Sequence, residues 1–283
     1  NYNFIKRIIK NFKNISTLSA KIKNKIFGQP LFKYKNLGII GIGIGPFKEK
    51  DKYYISTIKL LKESNLLFLR DILSSKICEE NQLNFSIGSD LVYSLPETFW
   101  SSHKKCNEII KKMGVIVRDW NFSEEMGSFI YKLISINFNK SKIQFYSFCK
   151  VKDKFSINFL KENGFNESIT IWDPNKMSFQ EFIKSISKND ILLTARYHGA
   201  IIASLLEIPF ISIGIEPKLK LVAELFEMPC WVYPYDIDDC VYKIQNIENN
   251  YKQEIEKIAL ITKKEKNKNK LMMSSLEILL SEL

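Results

Sequence analysis

The sequence predicts an α/β protein of two lobes, each built on a mostly parallel sheet. Three observations point there. Short apolar runs of strand length alternate with amphipathic stretches of helix length from residue 37 to about residue 230. Glycine-rich or polar turns separate them. A polar stretch at 96–110, with Pro96, Ser101 and Ser102, divides the series and reads as a linker between lobes.

"LGIIGIGIG" (37–45) is a buried strand running into a glycine turn closed by Pro46. A helix is expected at 52–63, the strand "LLFLR" at 66–70, a helix at 71–81, and a short strand and loop over 85–96. The second lobe opens with the strand "GVIVRDW" (114–120) and a helix to about 136. A strand (142–149), a helix (156–165) and a strand (167–173) follow. Ser178 and Glu181 in "SFQE" form a capping box for a helix ending near Ser187. Next come the strand "DILLTA", the loop "RYH", the helix "GAIIASLLE", Pro209 and the strand "FISIG". The domain division expected is 1–100, 108–250 and a helical tail over 251–283. Within that tail, the lysine-rich "KKEKNKNK" (263–270) reads as a solvated turn.

Composition narrows the function classes. The 283 residues carry a net charge of +11, from 42 Lys and Arg against 31 Asp and Glu. Such a charge fits lysine spread over solvated helix faces, or else nucleic acid, an anionic membrane surface or acidic substrates as partners. No DNA- or RNA-reading motif is present and arginine is scarce, so nucleic acid is not the expected partner. No apolar run approaches the length of about 18 residues that suggests a membrane span, and no signal peptide is visible. "NFIKRIIKNFKN" (3–14) is a basic amphipathic helix that suits either a membrane surface or docking on the chain's own core. Five cysteines without a C-x-x-C support neither a zinc site nor a disulfide framework, and fit a reducing cytoplasm.

Against 38 lysines the four arginines stand out: Arg7, Arg70, Arg118 and Arg196. Arginine's planar fork grips carboxylates and phosphates in a two-point fashion that lysine cannot copy. Arg70, Arg118 and Arg196 each end an apolar run, and the carboxyl ends of parallel strands are where such sheets bind ligands. Arg196 and His198 flank the start of a helix, whose free N–H groups and dipole favour an anion. Gly199 and Ala200 are expected to let a ligand come close to the backbone. Gly41, Gly43 and Gly45 do not match G-x-G-x-x-G, so a dinucleotide fingerprint is unsupported; they serve either a ligand pressed on the strand end or tight packing. His103 in "SSHKKC" lacks a third triad member and reads as solvent-facing. The pair Asp236 and Asp238 reads as a solvated loop, and no metal is assigned.

Taken together, "GIGIGPF" (41–47), "LFLRDILS" (67–74), "GSDLVYSLP" (88–96), "VIVRDW" (115–120) and "ARYHGAIIASLLEIPFISIGIEPKLKLVAELFEMP" (195–229) resemble the polysaccharide pyruvyl transferase family. The most specific piece is the R-x-H start of an apolar helix, followed by an E-x-P and a lysine, here Glu216, Pro217 and Lys218. The resemblance implies two Rossmann-like lobes in a GT-B-like arrangement, with the site between them. It implies phosphoenolpyruvate as donor, no cofactor, and a sugar, glycan or lipid-linked saccharide acceptor that receives a pyruvate ketal. His198 would be the general acid/base, with Arg196 holding phosphate or carboxylate. Arg70 would hold the other anionic group, while Gly43, Gly45, Gly199 and Lys218 would line the site. Arg118 would share in anion binding or instead pair with Asp119 or a neighbouring acid. A cytoplasmic place follows, with peripheral contact at the inner membrane face if the acceptor is lipid-linked.

The chain begins with Asn rather than Met, and nothing in it matches the family's glycine-rich first strand–helix unit, so the N-terminal lobe is expected to be incomplete. A glycosyltransferase using a nucleotide-sugar, and a non-catalytic truncated homologue, remain open alternatives.

Overall fold

The computed structural model describes residues 36–45, 47, 49–101, 110–119 and 124–281. The basic stretch at 3–14 and His103 lie outside the described residues.

Both sheets are wholly parallel. The first has three strands in the order β1–β2–β3, with β1 at Gly38–Ile42, β2 at Leu66–Leu69 and β3 at Ser86–Ile87. Helix α1 (Lys52–Lys62) links β1 to β2, and α2 (Ile72–Glu80) links β2 to β3. Each begins at an aspartate: Asp51 accepts the N–H groups of Tyr53 and Tyr54, and Asp71 accepts that of Ser74. Ile58 and Leu61 of α1 pack with Leu67 and Leu69 on one face. Gly41 interrupts the β1 register with φ +63°, and a side chain there would strike Leu91 and the Ser89 carbonyl.

The second sheet has six strands in the order β6–β5–β4–β7–β8–β9. They are β4 (Met113–Ile116), β5 (Ile143–Ser147), β6 (Ile169–Ile171), β7 (Ile191–Thr194), β8 (Phe210–Ile213) and β9 (Cys230–Trp231). Strand order runs outward in opposite directions from β4 and from β7, so a crevice opens between their carboxyl ends. β4, β7 and β8 are buried throughout, as parallel strands covered on both faces must be. Alternation splits them: Met113, Val115, Leu193 and Ile211 enter one core cluster, and Ile116, Leu192 and Phe210 the other. The crossovers are α4 (Glu124–Asn137), α5 (Lys154–Glu162), α6 (Phe179–Ile186), α7 (Tyr197–Leu205) and α8 (Pro217–Phe226), with α9 (Ile237–Asn249) after β9. The Ser178–Glu181 capping box at α6 is present in full. Asp236 accepts the Asp238 N–H at the start of α9, the structural use of that acidic pair.

Three readings from sequence need correction. Residues 97–101 form a short helix, α3 (Glu97–Ser101), not a linker. Tyr93 and the fully buried Trp100 join the second lobe's core. The "RYH" segment is not a loop: α7 starts at Tyr197, with Arg196 as its cap residue. The tail has no turn at 263–270, because residues Tyr251–Ser281 form one 31-residue helix, α10. Glu265 and Asn269 are buried within that lysine-rich stretch, Lys263, Lys264 and Lys270 are exposed, and Lys266 and Lys268 pair with Glu97 and Glu265. Hydrophobicity alone hides such a helix, since its buried positions there are polar.

α10 crosses both lobes. Tyr251 Oη donates to the Asp190 carbonyl and Thr262 Oγ1 contacts the Ser204 carbonyl, both in the second lobe. Asn269 Nδ2 donates to the Asp90 carbonyl, and Leu276 and Leu279 close over Gly38 in the first.

Candidate active site

Three strand ends and one helix start make the site. β2 is followed by Arg70, β4 by Val117 and Arg118, and β7 by Ala195 and Arg196, which caps α7. His198 lies in the first turn of α7.

Gly199 explains why α7 sits so close to the sheet. A side chain there would lie 2.2 Å from Thr194 Oγ1 and 2.8 Å from Ile116 Cδ1. Gly199 and Ala200 are both buried, and the smallness of Gly199 brings helix to sheet.

Arg70 reaches across to the second lobe. Its Nη1 donates to Asp90 Oδ2 at 2.7 Å, and its guanidinium lies 4.6 Å from the centre of the Tyr197 ring. Asp71 Oδ2 is 3.8 Å from Arg70 Nε, a buried nitrogen with no hydrogen-bond partner. His198 Nε2 is 3.5 Å from the same Asp90 Oδ2. Asp90 is 5% exposed, whereas the His198 side chain is 53% exposed. Burial pushes the Asp90 carboxyl up. Hydrogen bonds from His198 and the Val92 N–H, with the charges of His198 and Arg70, outweigh it and hold the group below its usual value. Burial, with the Asp90 charge behind it, pushes the Tyr197 phenol well up, so it stays neutral.

Arg196 is held differently. Its Nε donates to the Val117 carbonyl at 3.0 Å and its Nη2 to the buried Asp153 carboxylate. Asp153 also accepts Ser147 Oγ and the Cys149 N–H. Arg118 Nη1 is 3.5 Å from Glu216 Oε1, just before α8, and its N–H donates to Tyr131 Oη. Asp119, the partner suggested by adjacency, instead accepts the N–H groups of Phe155 and Ser156. Lys218 is half-buried in the first turn of α8, two residues beyond Glu216. Gly43 lies against the Arg70 cluster: a side chain there would be 2.6 Å from Asp71 Oδ2 and 3.0 Å from Arg70 Nε. Gly45, at φ +79°, belongs to the turn behind it, against Ile77 and Phe47.

Arg70, Gly43 and His198 thus share one cluster around Asp90, while Arg196 and Arg118 are anchored on second-lobe partners. A cleft of about 300 Å³ adjoins the cluster, lined by Arg70, Asp71, Tyr197, Val222, Leu225 and Lys268. Asp90, Asp153 and Tyr197 escaped the reading of the sequence. Among the described residues, no group of three or more His, Cys, Asp or Glu is placed to hold a metal, and no helix is long and apolar enough to cross a membrane.

The architecture is that of GT-B proteins. A UDP-N-acetylglucosamine 2-epimerase aligns over 96% of this chain and 79% of its own, with TM-score 0.54 and 10% identity. The UDP-GlcNAc 2-epimerase of Methanocaldococcus jannaschii, in complex with UDP-GlcNAc and UDP, aligns over 82% of this chain and 66% of its own, with TM-score 0.53 and 12% identity. TarM aligns over 85% and 48%, with TM-score 0.51 and 13% identity. The chain therefore spans about two thirds of the M. jannaschii enzyme and about half of TarM. At these identities the likeness is one of fold.

The sequence signature of polysaccharide pyruvyl transferases matches residues 18–217. With a match over more than half its length, this chain belongs to the polysaccharide pyruvyl transferase family. A comparison with curated proteins returns no match.

Proposed function

We propose that the protein transfers the pyruvyl group of phosphoenolpyruvate to a sugar of a surface polysaccharide or its precursor, forming a ketal and releasing phosphate. The observation that carries the reading is the half-exposed His198 at the start of α7, beside the Asp90–Arg70 pair, with Arg196 capping the same helix. The donor brings a carboxylate and a phosphate; two guanidiniums fixed by carboxylates, and a helix start, suit both.

In this reading one sugar hydroxyl adds to C2 of the enol, and its proton passes by way of His198 to C3, which becomes the methyl group. The C2–O bond to phosphate breaks and phosphate leaves with that electron pair. A second hydroxyl of the same sugar adds to C2 and closes the ketal, giving its proton to the departing phosphate or to solvent. His198 is the acid–base because imidazole titrates nearest neutrality. Arg196 and Arg70 stabilise the charge of the leaving group. Arg118 and Lys218, near the mouth of α8, bind the remaining anionic oxygens or the acceptor.

Calorimetric titration of phosphoenolpyruvate into the wild type, Arg196→Ala and His198→Ala tests this. Binding lost in the arginine variant and kept in the histidine variant is expected. Binding of a UDP-sugar but not of phosphoenolpyruvate would overturn the reading in favour of nucleotide-sugar chemistry.

A further inference from the structure

Proton transfer by an imidazole depends on which ring nitrogen carries the proton at rest. In His198 that choice falls to one residue of the other lobe. Asp90 is nearly fully buried and fixed at three points. Its Oδ1 accepts the Val92 N–H at 3.1 Å, its Oδ2 accepts Arg70 Nη1 at 2.7 Å, and its carbonyl accepts Asn269 Nδ2 of α10 at 3.1 Å. The imidazole is half exposed, and among the described residues it has no comparable hold on its other side. A rigid charged acceptor facing one nitrogen of a mobile ring sets both its tautomer and its orientation.

We propose that Asp90 is the positioning residue for His198, holding the neutral ring with its proton on Nε2 and leaving Nδ1 to exchange protons with the reactants. This rests on the reading of His198 as the acid–base. The 3.5 Å separation is long for a hydrogen bond, as such contacts often are before substrate binds. The charged and titratable groups around the ring are Asp90 and Arg70, with Asp71 beside Arg70, and Tyr197 on its own helix. Glu265 and Lys268 of α10 face the adjoining cleft. Arg70 and Asp90 pair with each other, as do Lys268 and Glu265. Replacing Asp90 therefore removes the ring's nearest negative charge and leaves Arg70 with Asp71 as its carboxylate partner.

Nitrogen-15 NMR reads this without any substrate. The chain has two histidines, His103 and His198, so two ring systems titrate, and His198→Gln assigns them. In the wild type above its pKa, the His198 ring is expected to carry its proton on Nε2. Asp90→Asn is expected to lower that pKa by about one unit and to abolish the tautomer preference. Arg70→Gln, which frees Oδ2 for the imidazole, is expected to raise it. A neutral wild-type ring protonated on Nδ1 overturns the proposal. So does an unchanged pKa in Asp90→Asn, or a shift of the same sign in both variants, as general loosening of the site would give. With an active assay, the acidic limb of kcat must move with the NMR pKa in both variants; a limb that stays put overturns the catalytic part. Failure of the wild type to turn over phosphoenolpyruvate would overturn the proposed function, and the ring titration would still decide the role of Asp90.

Discussion

Arg196 and Asp153 join across the carboxyl edge of the second sheet, and the guanidinium ties three neighbouring strand ends together. Asp153 is held by Ser147 at the end of β5, the Val117 carbonyl follows β4, and Arg196 follows β7. These are adjacent strands, so one side chain fixes the rim on which the crevice opens.

Removing the carboxylate leaves that guanidinium buried and unpaired. Asp153→Ala is expected to cost about 3–5 kcal/mol, read from the midpoint of a urea transition. Arg196→Lys keeps the charge but loses the two-point geometry, and is expected both to destabilise the fold and to weaken binding of phosphoenolpyruvate. A variant with wild-type stability and donor affinity would show that the planar fork is not needed.

Gly199→Ala puts a methyl group into Thr194 and Ile116. The expected cost is about 1–3 kcal/mol of overpacking, with α7 displaced and the histidine moved with it. A thermal melt gives the first quantity, and the change in donor affinity the second. Wild-type values for both would mean that α7 can shift freely.

Asn269→Leu removes the hydrogen bond that α10 donates to the Asp90 carbonyl, leaving that acceptor the Tyr93 N–H. A loss of about 0.5–1.5 kcal/mol is expected in the same urea transition. Lys270→Ala, one residue on and exposed, is the control and is expected to be nearly neutral.

Asp90 also gives the acid limb of stability a direction. Its folded carboxyl titrates below the unfolded value of 3.8, so its contribution is fully present above that pH and is lost as pH falls through the folded value. Asp90→Asn is expected to flatten the dependence of stability on pH in that window. Parallel loss of stability in wild type and variant below pH 3.8 would show that the carboxyl is not lowered.

The parallel α/β pattern was legible because its central strands β4, β7 and β8 are buried throughout and read as apolar runs. The α6 capping box was legible because its signal is local, four residues long. The arginines at strand ends were visible against a lysine-rich background. Their partners were not. Asp90 reads as an ordinary turn aspartate in "GSDLVY", and nothing local reveals that it faces Arg70, twenty residues back, and His198, over a hundred ahead. Asp153 occupies a helix-cap position, yet its side chain turns away to Arg196. α10 was misread at 263–270 for a related reason: the positions it buries there, Glu265 and Asn269, find hydrogen-bond partners rather than apolar ones.

α10 has a mechanical consequence. Its 31 residues contain neither proline nor glycine, so it lacks the usual points at which a helix kinks. Over about 46 Å it is moored to the second lobe near its start and to the first near its end. The lobes cannot rock apart independently of this beam: opening the crevice means flexing the helix or sliding it over one of its moorings. Where Asn269 grips the Asp90 carbonyl, that load passes directly into the residue that faces His198.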